Sequence, residues 1–218
     1  MIVVIGSPVG WLRDETVMPT GTPARAALAA AAAGRQVQLV GRTGDDLTAD
    51  GLLLSLTRGG VGHVALLRDP TRATPLVLEP PYEEAILAPS DDEPVMRNPE
   101  PPSAPALDAG DVDLGLRYLG DYAVIVLAEA ASTDEVRVVA DAASRSGARL
   151  LVVVESGDEP PAGLPPEAIV FEAPPEDPDG DFAALVGRFA AALDDGADAG
   201  DAFRSSLAEE GWTEAVAD

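Results

Sequence analysis

The sequence predicts an α/β protein: a three-layer α/β/α arrangement around a mainly parallel sheet, with a small β-hairpin flap. Three observations predict it. Short apolar runs recur at residues 2–5, 36–40, 63–67, 123–127, 149–154 and 168–171. Runs of this length fit strands buried on both faces. Helix-patterned segments at 24–33, 48–58, 134–146 and 181–193 separate or follow these runs, and such alternation gives parallel pairing through right-handed crossovers. Finally, 218 residues that are 46% hydrophobic and 24% charged have the size and composition of one globular domain. We read residues 1–218 as that single domain.

The elements follow in order. Residues 2–5 end at Gly6 and read as a buried first strand rather than a secretory leader. Residues 24–33 are nearly all alanine and favour helix; Pro23 suits the first turn and Gly34 the stop. A strand at 36–40 leads to a helix at 48–58 with Leu52, Leu53 and Leu56 on one side, ended by Gly59-Gly60. After the strand at 63–67, residues 74–79 and 83–88 flank Pro80-Pro81-Tyr82 and predict the hairpin flap, at 74–88. Residues 90–105 hold five prolines and four acids and form a loop. A weak helix at 111–119 and a strand at 123–127 precede the helix 134–146, with Ser132 or Thr133 as N-cap and Gly147 as stop. Strands at 149–154 and 168–171 come next. Phe182, Leu185, Val186, Phe189 and Leu193 lie at helical spacing in 181–193, and a last helix spans 199–209.

Composition excludes several functions. There is no cysteine and no lysine, so thiolate metal sites, disulfides, a Walker A lysine and Schiff-base chemistry are out. The single histidine, His63, precedes an apolar strand and reads as structural. The net charge is −24. It is uneven: residues 1–90 carry seven Arg and nine acids, and residues 91–218 carry seven Arg and 29 acids. A field of this sign opposes nucleic acid and anionic membrane, and neither is expected as a partner. No apolar run is long enough to cross a bilayer. The location expected is cytoplasmic. No metal site is expected either; Asp177, Asp179 and Asp181 lack the rest of a calcium loop and read as loop plus helix N-cap.

Several stretches together resemble the ribokinase/PfkB carbohydrate-kinase family. They are Ile5-Gly6-Ser7, then Thr20-Gly21-Thr22-Pro23-Ala24-Arg25 running into the alanine helix. Leu39-Val40-Gly41-Arg42-Thr43-Gly44-Asp45-Asp46, the segment 52–61 and Arg68-Asp69-Pro70 follow with almost no gaps. The likeness is looser over 75–155 and largely fails beyond residue 172. The resemblance implies a ribokinase-like fold and a site for a sugar, sugar phosphate or nucleoside. It also implies Mg·ATP as cofactor if the chain is active. Residue by residue it points to Gly21, Arg25, Asp46 and Glu129 for substrate. Arg25 stands where the family has an Asn that holds sugar hydroxyls, and the family's preceding Asp falls near Gly10 or Trp11. Where the family orders magnesium with Asn-x-x-Glu, residues 174–178 read Pro-Pro-Glu-Asp-Pro. Ala199-Gly200-Asp201 is similar to the family's anion-hole motif and would make Asp201 the catalytic base, but too few residues precede it to hold the nucleotide-binding strands.

The residues themselves leave alternatives open. Gly41 to Asp46 fits a strand-to-helix turn, with Asp45 or Asp46 as helix cap, as well as a ligand role. Arg25 fits an anionic ligand or a pairing with Asp46 or Glu129. Glu129 fits a substrate group or a satisfied buried acid, and Asp201 the start of an ordinary surface helix. The expectation is a degenerate carbohydrate-kinase-like protein with a site for a sugar-like or anionic molecule. The alternatives are a non-catalytic assembly protein that homodimerises through the flap, and an active sugar kinase using Asp201.

Overall fold

The computed structural model describes residues 1–78 and 104–209. The first strand, β1 (Ile2–Ile5), is buried at all four positions. Successive side chains of a strand point to opposite faces, so Ile2 and Val4 enter one apolar cluster and Val3 and Ile5 another. On one side of β1 lie β4 (Val37–Gly44) and β5 (Val61–Asp69); on the other lie β7 (Val124–Leu127), β8 (Arg149–Val154) and β9 (Ile169–Glu172). The sheet runs β5-β4-β1-β7-β8-β9, and each neighbouring pair is parallel.

The two clusters define the outer layers. Against Ile2 and Val4 pack α1 (Thr22–Ala32), α2 (Leu47–Arg58), α5 (Asp181–Asp194) and α6 (Ala199–Glu209), through residues such as Ala26, Leu56, Phe189 and Ala202. Against Val3 and Ile5 pack α3 (Ala109–Leu119) and α4 (Thr133–Ser146), through Val112, Leu116, Val136 and Val139. This is the expected three-layer α/β/α architecture.

Local chemistry sets the helix ends. Ser132 and Glu135 close a reciprocal capping box on α4, and Gly147 ends it at φ 72°. Asp108 and Asp111 do the same for α3. Arg42 on β4 then donates to Asp111 at 2.6 Å and ties that helix to the sheet. The alanines of α1 leave room for α5 to come very close. At Gly187 a Cβ would lie 2.8 Å from Ala29 Cβ and would overlap the Ala26 carbonyl oxygen.

The flap differs from the expectation. It is built from an antiparallel hairpin of β2 (Val9–Arg13) and β3 (Thr16–Thr20), with β6 (Leu76–Leu78) added parallel to β2. Only β6 falls within the predicted 74–88 hairpin; its second arm, 83–88, lies outside the described residues, as do residues 90–103 of the predicted loop. The hairpin at 9–20 gave little signal. Its two-residue turn is Asp14-Glu15, at φ 47° and 63°, where glycine or asparagine is usual. Pro19 also sits within β3, at the sheet edge where a missing N–H is tolerated. One flap face lies on α2, where Ser55 Oγ donates to the Val17 carbonyl at 2.9 Å.

Candidate functional site

The chain leaves β1 toward β4 on one side and returns to β7 on the other. This is a topological switch point, and parallel sheets open a crevice there beyond the carboxyl ends of the strands. Gly6 ends β1 at φ 148°; a Cβ there would lie 2.9 Å from Pro23 Cβ and 3.3 Å from Glu129 Cδ. Gly41 faces it, and its Cβ would lie 2.5 Å from the Gly6 carbonyl oxygen. Only glycines let these backbones meet. Glu129, just past β7, accepts the Ser7 N–H at 3.0 Å. Burial, with a smaller push from Glu135, holds its carboxyl above the usual range despite that hydrogen bond.

Beside the crevice, α1 and the flap enclose a cavity of about 250 Å³ lined by Val9, Gly21, Thr22, Arg25, Val77 and Asp177. Gly21 is the N-cap of α1 at φ 80°, with no side-chain cap and no acid in the first turn. Arg25 Nη1 donates to the carbonyls of Asp177 and Pro178 at 3.4 and 3.1 Å, across 152 residues of sequence. Those carbonyls precede α5, whose N-cap is Gly180 at φ 81°. Asp177 turns back on this helix and its carboxylate accepts from Phe182 N at 3.2 Å and Ala183 N at 3.1 Å. The first turn of α5 is therefore filled by the chain's own carboxylate. The loop-plus-cap reading of Asp177 matches this geometry.

Of the expected substrate residues, Gly21 and Arg25 line this one cavity. Glu129 stands at the neighbouring crevice, beside Gly6 and Ser7. Asp46 is engaged elsewhere. Its Oδ1 caps α2 by accepting from Ala49 N at 2.8 Å, and its Oδ2 accepts from Thr74 N at 2.8 Å. Burial raises its pKa, but the donors from Thr74 and Ala49 outweigh it and hold the carboxyl below the usual range. The cap that the sequence offered for Asp45 or Asp46 is made by Asp46. Asp201 is remote. Arg35, past the far end of α1, donates to Asp194 at 2.8 Å, so α5 ends away from Arg25. Ala197 N still bonds the Ala192 carbonyl, and α6 begins there. Asp201 is exposed and paired with Arg204. The 14 residues of α5, roughly 20 Å of helix, separate it from the cavity. Asp177 was the contributor least visible in sequence, because only the fold brings it to Arg25.

No family model and no curated protein matches the sequence. Solved structures do match. The E. coli protein assigned as ribokinase II, in complex with ATP and Mg²⁺, superposes with a TM-score of 0.64 at 15% identity, over 94% of this chain and 89% of its own. The apo form gives a TM-score of 0.63 at 15% identity, over 94% and 90%. Arabidopsis thaliana ribokinase complexed with ribose and ATP gives 0.62 at 15% identity, over 95% and 90%. The fold is ribokinase-like. The likeness in space covers most of the chain, whereas the likeness in sequence fades after residue 172. Among the described residues no helix is long and apolar enough to cross a membrane.

Proposed function

We propose that this chain is a degenerate carbohydrate-kinase-like protein that binds a sugar-like or anionic small molecule and does not transfer phosphate from ATP. Structures similar in fold were solved with ribose, ATP and Mg²⁺, which supports a small-molecule ligand, and in this reading it lies at the crevice beyond the strand ends. Gly21, Arg25 and Glu129 are its contacts in this reading, with Asp46 supporting the turn behind them.

One observation carries the loss of transfer: Asp177 caps the terminus of α5 beside Arg25. A helix N-terminus stabilises a transferring phosphoryl group when its N–H groups are free and water is excluded. In this reading α5 is that helix, and two of its donors hold a carboxylate that would repel the group. In this reading the site does not take Mg·ATP. The reading takes the protein as cytoplasmic, in keeping with a chain that has no cysteine for disulfides.

The test pairs a thermal-shift screen of sugars, sugar phosphates and nucleosides with an ATP-consumption assay. Ligand at a hundredfold excess over Kd adds about 2.7 kcal/mol, or several degrees for a chain of this size. We expect stabilisation by a carbohydrate and no consumption of ATP. Carbohydrate-dependent ATP turnover would overturn the proposal.

A second reading, assembly through the flap, is favoured by its open face. Met18 and Val77 both register with Trp11 and are 44% and 50% exposed. Light scattering should then show a dimer that Val77→Glu dissociates; a monomer at all concentrations would end this reading.

A further inference from the structure

The sheet ends at β5, and among the described residues no strand lies on its outer side. Gly62 of β5 registers with Gln38 and Ala65 with Val40, so His63 and Val64 together stand opposite Leu39. Such a bulge re-aims side chains. Val64 and Ala65 both turn toward α3, and with Leu67 they form one wall of a groove of about 340 Å³. Leu114, Gly115 and Tyr118 of α3 form the other. Gly115 lets the helix sit close on the sheet: a Cβ there would lie 2.9 Å from Val40 Cγ1 and 3.6 Å from Ala65 Cβ. Val64, Leu114 and Tyr118 are 56%, 59% and 71% exposed. A single exposed apolar side chain needs no explanation, but several around one groove mark an interaction surface.

Charge and backbone select the occupant. Asp111 lines one end of the groove, where Arg42 donates to it at 2.6 Å and also faces Asp69 at 3.7 Å and Asp108, one cation against three carboxylates. Arg68, which follows Leu67 and so points to the opposite face of β5, is shared by Asp45 and Asp50, one cation against two. Both faces of this edge are therefore negative at their rims. A second copy would set the same excess against itself, and the bulge blunts edge-to-edge pairing. Beyond the bulge, Ala65 to Asp69 pair with Val40 to Gly44 in unbroken register. That regular stretch gives an extended segment backbone groups to bond on the outer side. We propose that the groove between β5 and α3 docks an extended basic segment of a partner protein as a strand added to β5. Its alternate apolar side chains enter the groove against Leu114 and Tyr118. Its intervening lysines or arginines turn to the other face, toward Asp45 and Asp50.

The probe is a pool of short synthetic peptides with blocked termini, in which Val, Leu or Phe alternates with Lys. A second pool carries Glu in place of Lys, and a third has the composition of the first with its lysines in one block. Each is passed over the immobilised full chain, and the best-retained peptide is then titrated in solution. We expect the alternating lysine pool to be retained above the other two, and its affinity to fall as salt is added. N-methylation of alternate backbone nitrogens should weaken the selected peptide by roughly tenfold or more. Val64→Arg on β5 and Leu114→Arg on α3 should each do the same. Both positions are exposed and lie on different elements, so either variant tests the groove if the other fails to fold, and melting curves check that each is folded. Peptide binding that both folded variants leave unchanged would place it elsewhere and overturn the proposal. Indifference to N-methylation would overturn the added strand. Equal retention of the glutamate pool, or no retention of any pool, would overturn the basic partner. A dimer in light scattering that both variants dissociate would give the groove to a second copy and overturn the proposal as well.

Discussion

Replacing Gly187 by alanine tests the contact on which the cavity depends. The added Cβ would lie 2.8 Å from Ala29 Cβ and would overlap the Ala26 carbonyl oxygen. Ala26 is helical backbone and cannot swing aside like a side-chain tip, so α1 and α5 must separate. Overpacking of this kind costs about 1–3 kcal/mol, and a clash with backbone belongs at the upper end. Alanine returns about 1 kcal/mol of helix propensity, leaving a net loss of about 2 kcal/mol. For a chain of this size that lowers Tm by about 4–8 °C. Calorimetric melting measures it, with Gly200→Ala as control. Gly200 is exposed in α6, its nearest neighbour is Asp198 Oδ1 at 3.3 Å, and alanine there should be neutral or mildly stabilising. The same displacement would pull Arg25 on α1 from the carbonyls that precede α5, so ligand affinity should fall with Tm. A Gly187→Ala protein that melts at or above the wild-type temperature would refute the close packing of the two helices.

Three further outcomes are expected. Asp177→Ala removes the cap of α5 and should cost about 1 kcal/mol, a drop of about 2–4 °C in Tm, while partial recovery of Mg·ATP binding would show that this carboxylate alone blocks the helix end. Glu129→Gln should raise Tm at pH 7, and the gain should close as pH falls below the ordinary value of 4.5; a carboxyl whose pKa is raised by folding makes stability fall as pH rises from that value through the folded one, so a variant whose Tm follows the wild-type pH profile would contradict the burial. Asp194→Asn should have the opposite profile. Burial opposes ionisation of Asp194, but its partners, Arg35 among them, hold its pKa below 3.8, so its contribution is present above that value and lost as pH falls through the folded pKa. The melting difference should be full at pH 7 and small at pH 2–3.

What could be read from sequence followed from locality. Residues 2–5 and 149–154 match β1 and β8 at both ends because doubly buried strands need continuous apolar runs bounded by polar or glycine residues. The helix at 134–146 begins one residue early, at Thr133, with Ser132 as cap, because capping chemistry spans only a few residues. The hairpin at 9–20 was missed because its turn uses Asp14 and Glu15 in a conformation whose usual residue signs are absent. The site divided in the same way. Gly21 and Arg25 lie within one turn of the same helix start, and their proximity could be read directly. Asp46 could be read from sequence as a cap or as a ligand residue, and the structure shows the cap, together with a bond to Thr74 N that no local pattern encodes. Asp177 reaches Arg25 across 152 residues, which no short-range pattern encodes. Asp201 carried a motif-like neighbourhood, and the direction of α5 is what placed it at the other end of the domain.

Charge and fold meet at the flap. The surplus of acids falls almost wholly after residue 90, whereas Arg13 and Arg25, the flap and the start of α1 all belong to the nearly balanced first part. Arg35 finds its carboxylates, Asp194 and Asp195, in the acidic part, and Arg68 finds Asp45 and Asp50 within the first part. Arg13 and Arg25 form no ion pair among the described residues and line one cleft. The acidic part does touch that cleft through Asp177, yet the charge is spent on the α5 backbone and not on Arg25, which takes the carbonyl oxygen of the same residue instead. In the proposed reading a single aspartate closes the helix terminus to a phosphoryl group without pairing its carboxylate to the neighbouring guanidinium. Within the proposed reading, these two effects separate loss of transfer from retention of anion binding: the first follows from where the carboxylate points, and the second from where it does not.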